Sequence, residues 1–264
     1  MGWSSLATQF CLELAFGVLL ALAFVPRAPV GAFFYRLMGT TALVPLLAAV
    51  AMPVTAGGRP WHDPRGLAVL VSFLSYPLYA GPFRGLRWAA GLGLGLVGCA
   101  TALVLEVQGA ALLAGDAGPL ARALVSASAL ATGAVAGGVG LAMVLGHWYL
   151  TVPKLEVRHL ARLNRATVAM MVASLACLVA SCVLFTDALA RARTPILSPF
   201  GLFYLGTRTV VGLVMPLLFA WMVAQSLHHR NTRSATGILY ASTVLVLIGA
   251  AISIAMQDGY GVPL

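Results

Sequence analysis

The chain has 264 residues, of which 61% are hydrophobic and only 9% are charged. Soluble domains carry roughly 25% charged residues, so this composition excludes a cytosolic enzyme, a disordered chain and a secreted disulfide-rich domain. The net charge of +9 at pH 7 does not indicate nucleic-acid binding, because the basic residues are spread over the connections between apolar runs, as expected of topology signals at lipid headgroups. The sequence therefore predicts an integral membrane protein whose partner is the lipid bilayer rather than a nucleic acid.

Eight apolar runs meet or approach the length of about 20 residues that a membrane-spanning helix needs. The first run has Glu13 near its middle and no basic residues before it, so we expect it to be retained as a span rather than removed as a signal peptide. The third run is short and contains Pro77, which predicts a kinked or tilted helix. The predicted spans are residues 5–25, 31–55, 67–82, 87–106, 123–150, 167–190, 199–226 and 236–257.

Basic residues are distributed unequally between the two sets of connections. Ten of the 16 lie in or beside the odd-numbered connections and five lie in the even-numbered ones. Because basic connections stay in the cytoplasm, both termini are predicted on the outer side of the membrane. Lys154 is the only lysine, and Ala, Gly and Leu are abundant, a composition typical of GC-rich bacterial genomes. We therefore expect a multi-pass protein of the bacterial inner membrane.

A comparison of the chain with itself indicates an internal duplication. Residues 25–37 match residues 152–163, each with a Val-Pro-basic sequence followed by Arg-Leu. Residues 84–91 match residues 230–237 in an Arg-x-x-Arg-x-Ala-x-Gly sequence. Either match alone is compatible with chance. The first match pairs the first connection with the fifth, and the second pairs the third with the seventh, which is the relation expected of two four-helix units in the same orientation.

The predicted fold is all-α, a polytopic membrane protein with eight transmembrane helices in two duplicated four-helix bundles. Residues 1–120 form the first predicted transmembrane repeat and residues 121–264 the second. Small residues four apart allow close helix contacts in membranes. We expect such contacts inside each bundle at the pairs Gly91/Gly95 and Gly133/Gly137.

Two charged residues lie inside predicted spans, Glu13 in the first and Arg208 in the seventh. With a rise of about 1.5 Å per residue, Glu13 lies about 10 Å and Arg208 about 13 Å from the outer ends of their helices. Charges in hydrocarbon are costly, usually face the bundle interior and often pair. We take both as candidate catalytic residues, with the carboxylate transferring protons or bonding a quinol and the arginine orienting the ligand. The alternatives are a buried ion pair that fixes helix packing, or a Glu13 that reaches the headgroups.

The sequence Gly146-His147-Trp148-Tyr149 ends the fifth predicted span. Trp and Tyr are typical of the membrane interface, whereas a neutral imidazole can bond a quinone carbonyl, transfer a proton or bind a metal. His147, Trp148 and Tyr149 are therefore candidate ligand-binding residues, and simple interfacial anchoring is the alternative. His228 and His229 end the seventh span on the same side.

The sequence contains no motif typical of a covalently bound cofactor or a metal site. The cysteines all lie inside apolar runs without a CxxC pair, and no histidine lies at the middle of a span where haem b is usually bound. The glycine-rich run from Gly91 to Gly98 lies within a span and follows no soluble strand, so it does not indicate a dinucleotide site. We predict no covalent cofactor and no metal, and we expect quinone as a noncovalent ligand.

Together, the eight spans, the duplication, the outward N-terminus and the similar depth of Glu13 and Arg208 resemble the plan of the NrfD and polysulfide reductase membrane-anchor family. The resemblance is one of plan, and no family motif is matched residue by residue. It implies a membrane subunit of a respiratory complex that binds quinol near the outer face and passes electrons to membrane or peripheral redox subunits.

Two other functions fit the same sequence features. A direct duplication with an arginine in the membrane is also found in carriers of small anions or lipids. A non-catalytic assembly or scaffold subunit would use the polar residues for packing alone. In that case single substitutions would change the abundance of the protein rather than an activity.

Overall fold

The computed structural model describes residues 3–25, 30–55, 62–113, 118–152, 155–192, 194–262 and 264. Every regular element in these ranges is helical. Pro26, Arg27, Pro153 and Lys154 of the first sequence match, and Arg59 and Arg193 of the charge comparison, lie outside them. The elements are α1 (Trp3–Phe24), α2 (Ala32–Thr55), α3 (Pro64–Leu74), α4 (Tyr76–Ala80), α5 (Leu86–Leu113), α6 (Pro119–Thr151), α7 (Arg158–Leu184), α8 (Thr186–Arg191), α9 (Pro199–Gly206), a π-helical segment (Thr207–Val214), α10 (Met215–His228) and α11 (Thr232–Tyr260).

Seven helices of the described chain are long and apolar enough to cross a membrane. They coincide with seven of the eight predicted spans, which confirms a multi-pass helical protein. α7 begins at Arg158, nine residues before the predicted start. The prediction was late because the first turns of α7 carry basic residues, which hydropathy alone assigns to the connection. The long apolar sequence of α6 likewise continues in both directions beyond its predicted limits.

The third predicted span is a broken pair of helices. α3 begins after Asp63, whose side chain accepts a hydrogen bond from the backbone N–H of Arg65 at 3.0 Å, and it ends at Leu74. α4 starts at Tyr76 with Pro77 in its first turn, where proline needs no helical N–H partner. Both pieces pack against α5, but neither alone reaches the length of a spanning helix.

The closest helix contact joins the two predicted halves. Gly17 of α1 packs against Gly133 and Gly137 of α6, and a Cβ atom built at Gly133 would lie 2.6 Å from the carbonyl oxygen of Glu13. The expectation that Gly133 and Gly137 make contacts inside the second bundle was therefore wrong. They allow the first helices of the two halves to touch backbone to backbone, a contact whose partner could not be read from the spacing. Gly91, by contrast, packs on α4 within the first half.

The helix bundle has two ends, which we name by the helix termini that lie there. The N-terminal face is the end at which α1 begins and α11 ends, and the opposite face is the end at which α6 ends and α11 begins. In the first half α1 packs on α2 and α5, and α3 and α4 pack on α5. In the second half α6 packs on α7 and α11, and the π segment and α10 pack on α11.

The seventh predicted span is a continuous helix that changes its helical type. α9 runs directly into the π segment, and α10 follows with Pro216 in its first turn. Gly212 of the π segment lies against the backbone of Gly249 in α11, where a Cβ atom would meet Gly249 Cα at 2.6 Å. π-helical turns inside α-helices occur frequently at functional sites, and this one contains Arg208.

Candidate functional site

Arg208 is buried among three other helices, with 2% of its surface exposed. Its Nη2 donates to Thr132 Oγ1 of α6 at 2.9 Å and to Ser174 Oγ of α7 at 2.8 Å. Its Nη1 is 3.5 Å from the carbonyl oxygen of Gly249 in α11. The guanidinium is thus held by neutral oxygens from three directions, while its Nε has no hydrogen-bond partner.

Glu13 is also buried, with 1% of its surface exposed. The Gln9 amide, one turn earlier in α1, donates to Glu13 Oε1 at 3.0 Å and to Gln257 Oε1 of α11 at 3.1 Å. Glu13 Oε2 and Gln257 Nε2 have no hydrogen-bond partner. The carboxyl group therefore faces the junction of the two halves, and the alternative of a Glu13 reaching the headgroups does not apply.

The two charged residues approach α6 at adjacent positions. Thr132 accepts from Arg208, and Gly133 packs against the backbone of Glu13. The ion pairs within 4.0 Å that the described residues form do not include one between these two charges. The structure thus brings both predicted residues into one buried region without direct contact. We call Gln9, Glu13, Arg208 and Gln257 the Glu13 cluster.

The predicted ligand-binding residues lie at the opposite face. His147 is exposed, and its Nδ1 lies 3.4 Å from the hydroxyl of Tyr240 in α11. The Trp148 ring stacks on Phe33 at 5.7 Å between centroids, and the Tyr149 hydroxyl donates to the backbone carbonyl of Glu156. Trp148 and Tyr149 therefore anchor the end of α6, and His147 is the member of the three that presents a polar group outward.

The Glu13 cluster and His147 lie in two separate regions of the bundle and do not form one site. Gly133, which packs against Glu13, lies near the middle of α6, whereas His147 lies close to its end. The 14 residues between them correspond to about 20 Å along the helix. The rings of His228 and His229 contact each other at 5.2 Å. Within the described part of the chain, no three His, Cys, Asp or Glu side chains are grouped so that they could hold a metal ion.

A cavity of about 630 Å³ lies between α1, α2, α6 and α11. We call it the interhelical groove. Its lining is almost entirely apolar and extends from Cys11 and Leu14 of α1 to Val144 of α6 and Thr243 of α11. Gly140 forms part of the wall, and a Cβ atom there would meet nothing within 4 Å. The sequence analysis missed this groove because four helices from both halves form it and no local pattern marks it.

The His147–Tyr240 pair lies just beyond one end of the interhelical groove. His147 follows the groove residue Val144 by three positions on α6, and Tyr240 precedes Thr243 by three on α11. Residues three apart on a helix are neighbours on one face. This pair of exposed hydrogen-bonding groups therefore lies within one helical turn of residues that line the groove.

A second polar cluster, which the sequence analysis did not single out, ties the first half together at the N-terminal face. Glu106 of α5 is buried; its Oε1 accepts from Ser5 Oγ at 2.7 Å and its Oε2 pairs with Arg65 of α3. Arg65 also pairs with Asp63 at 3.0 Å. Each partner of Glu106 comes from a different helix, so this cluster has the arrangement of a structural tie.

No protein-family model, no characterised protein and no solved structure matches this chain. The resemblance to the NrfD and polysulfide reductase membrane anchors accordingly remains a prediction.

Proposed function

We propose that this chain is an integral membrane subunit of an electron-transfer complex and that it binds a quinol in the interhelical groove. The observation that carries the proposal is a cavity of about 630 Å³ with an apolar wall and the His147–Tyr240 pair beyond one end. An isoprenoid quinone has two matching parts, because its apolar isoprenoid tail is joined to a ring that carries two carbonyl oxygens. Pockets for ligands of this size typically measure about 300 to 1,000 Å³ and contain few polar groups.

The chemistry of the pair suits the ring of a quinol. A neutral imidazole can donate or accept one hydrogen bond at each nitrogen, so His147 Nε2 is available while Nδ1 faces Tyr240. The Tyr240 hydroxyl is a donor and an acceptor and 46% of the residue is exposed. Such a pair can bond a quinone carbonyl or receive the proton of a quinol hydroxyl.

We also propose that the chain crosses the membrane eight times, with α3 and α4 as the third span. Residues 64–80 rise about 25 Å if helical throughout, which approaches the hydrocarbon thickness of about 30 Å. With eight spans, the excess of basic residues on the odd-numbered connections places both termini outside the bacterial inner membrane. Periplasmic labelling of cysteines introduced at residues 2 and 263 tests this, and labelling from the cytoplasm alone would contradict it.

The order of helix contacts supports the proposed duplication. In each half the first helix packs on the second and fourth spans, and the irregular third span packs on the fourth. The third span is broken at Ser75 in one half and contains the π segment in the other. Two units with the same order of contacts and the same orientation are the arrangement expected of repeats related by an axis along the membrane normal.

The quinol part of the proposal is tested by filling the groove. Gly140→Leu places a side chain in open space on the groove wall, and Gly93→Leu places the same side chain in open space on α5, away from the groove. Quinone is extracted from each protein after gentle purification and is quantified by chromatography. We expect quinone to co-purify with the native chain and Gly93→Leu but to be lost from Gly140→Leu. Equal amounts in both variants would overturn the assignment of the groove.

The electron-transfer part is tested by identifying the proteins that co-purify. A quinol-oxidising subunit of this kind must pass electrons to a redox partner. Mass spectrometry of the tagged protein, extracted from its own membranes, should detect stoichiometric iron–sulfur, molybdopterin or cytochrome subunits. A chain that is isolated without redox partners would contradict this part of the proposal.

One observation favours a carrier as the second candidate function. Both halves have an irregular third span, and interrupted helices at corresponding positions often form substrate sites in transporters. The unpartnered Nε of Arg208 would then bind a small anion. Proteoliposomes should show uptake of labelled carboxylates or phosphate that Arg208→Ala abolishes. The same anion flux in protein-free liposomes would exclude this function.

A further inference from the structure

The Glu13 cluster contains three buried polar atoms without a hydrogen-bond partner. They are Glu13 Oε2 on α1, Arg208 Nε on the π segment and Gln257 Nε2 on α11. Buried polar groups are nearly always hydrogen-bonded to protein or to ordered water. Glu13 and Gln257 share the Gln9 amide, so their two unpartnered atoms belong to one buried polar region, which indicates a place for a small polar species.

The three atoms are chemically complementary to water. Glu13 Oε2 is an acceptor, whereas Arg208 Nε and Gln257 Nε2 are donors. A water molecule can donate to the carboxyl oxygen and accept from either nitrogen, and buried waters typically make two to four such bonds. Gln9 already links Glu13 to Gln257 with hydrogen bonds of 3.0 and 3.1 Å. The Glu13 carboxyl group and the Gln257 amide therefore belong to one hydrogen-bonded network.

This hydrogen-bonded network extends toward the N-terminal face of the bundle. Gln257 lies three residues before the end of α11 at the N-terminal face. In the other direction an apolar cluster follows within one turn of Thr132 on α6. It is formed by Val135, Ala136, Val139, Met171, Val246 and Ala250. The hydrogen-bonded network is thus connected to the N-terminal face, and the apolar cluster separates it from the opposite face.

We infer that Glu13 is a proton-exchange site connected to the N-terminal face through Gln9, Gln257 and bound water. A proton arriving by water adds to Oε2 and forms the neutral acid, and it leaves by the same route, so no bond other than O–H forms or breaks. This inference is independent of the ligand in the interhelical groove.

The surroundings of Glu13 allow both forms of the carboxyl group. One carboxyl oxygen, Oε1, accepts from Gln9, and the other, Oε2, has no partner, so Oε2 can carry the proton of the neutral acid or remain the free oxygen of the ionised form. Other titratable side chains close to this region include Cys11 on α1, Cys99, whose Sγ donates to the Leu12 carbonyl oxygen at 3.6 Å, and Cys177 beside Arg208. Two acids lie nearer the N-terminal face, Glu106 in its own ion pair and Asp258 after Gln257.

The test is infrared spectroscopy of the purified full-length protein in lipid nanodiscs during changes of pH. We expect a protonated carboxyl band that is gained in acid, lost in alkali and shifted in D₂O, and that is missing in Glu13→Gln. Glu106→Gln is the matched control, because both oxygens of Glu106 already have partners, and it should retain the band. A band that persists in Glu13→Gln, or that is absent from the native protein at every pH, would overturn the inference.

A second comparison tests the route without changing Glu13 itself. Gln257→Leu removes the outer amide and should slow the D₂O shift of the Glu13 band by about tenfold, the factor expected for one hydrogen bond. Gln108→Leu is its control, since Gln108 bonds Ser126 at 3.1 Å elsewhere at this face and should leave the rate unchanged. Equal exchange rates in the two variants would show that the proton does not pass Gln257.

Discussion

The contact between α1 and α6 leads to the sharpest prediction about stability. A methyl group added by Gly133→Ala would place Cβ 2.6 Å from the Glu13 carbonyl oxygen and 2.9 Å from Glu13 Cα. A carbon atom normally stays about 3.3 Å or more from a carbonyl oxygen, so the two helices must separate by roughly 0.7 Å. Both clashing groups are backbone atoms and cannot rotate away, and overpacking of this kind costs about 1–3 kcal/mol.

The assay is thermal unfolding in detergent, followed with a dye that becomes fluorescent when it reacts with a thiol. Cys99 is fully buried and reacts only when the bundle opens. The matched control is Gly140→Ala, the same change on the same helix in open space. We expect Gly133→Ala to lower the midpoint by roughly 2 to 12 °C and Gly140→Ala to leave it unchanged or slightly raised. Equal midpoints would refute the close backbone contact between the halves.

Three further predictions concern the polar groups that join helices. Arg208→Met leaves the hydroxyl oxygens of Thr132 and Ser174 without their charged donor, so it should cost about 1–3 kcal/mol. Combining it with Glu13→Gln should lower the thermal midpoint by less than the sum of the two single changes, and strict additivity would show that the two charges are not coupled. Asn164 of α7 donates to the Ala220 carbonyl of α10 at 2.9 Å, so Asn164→Leu should lower the midpoint by an amount equivalent to about 1 kcal/mol, and an unchanged midpoint would contradict this bond. Glu106→Gln should destabilise the chain by about 1–3 kcal/mol in the same assay, and a rise in the midpoint would refute its role as a tie.

Most of the helical architecture was predictable because the bilayer leaves few alternatives. Backbone polar groups in hydrocarbon must be satisfied within a helix or a barrel, so long apolar runs directly predict spanning helices. The third predicted span was the element that hydropathy located least well, because the structure has two short helices there. Pro77 lies in the first turn of α4, just after the break at Ser75, and the side chain of Asp63 caps the start of α3. Both are local features that a hydropathy window averages out.

The candidate site was predictable only in part. A charged residue in an apolar run is conspicuous, so Glu13 and Arg208 were identified without a structure. Their partners were not, because Gln9, Thr132, Ser174 and Gln257 are ordinary polar residues in sequences far apart from each other. His147 was identified by its position at the interface, but its neighbour Tyr240 lies 93 residues later in the chain.

The sequence by itself determined that the chain is a helical membrane protein, because burial of apolar side chains in lipid depends on composition and on segment length. Only the tertiary structure decided which helices touch, since glycine spacings on several helices are equivalent until a partner is chosen. It placed Gly133 against the first half rather than inside the second, and it formed the interhelical groove from four helices. Contacts between distant segments depend on shape complementarity, which no local pattern of residues contains.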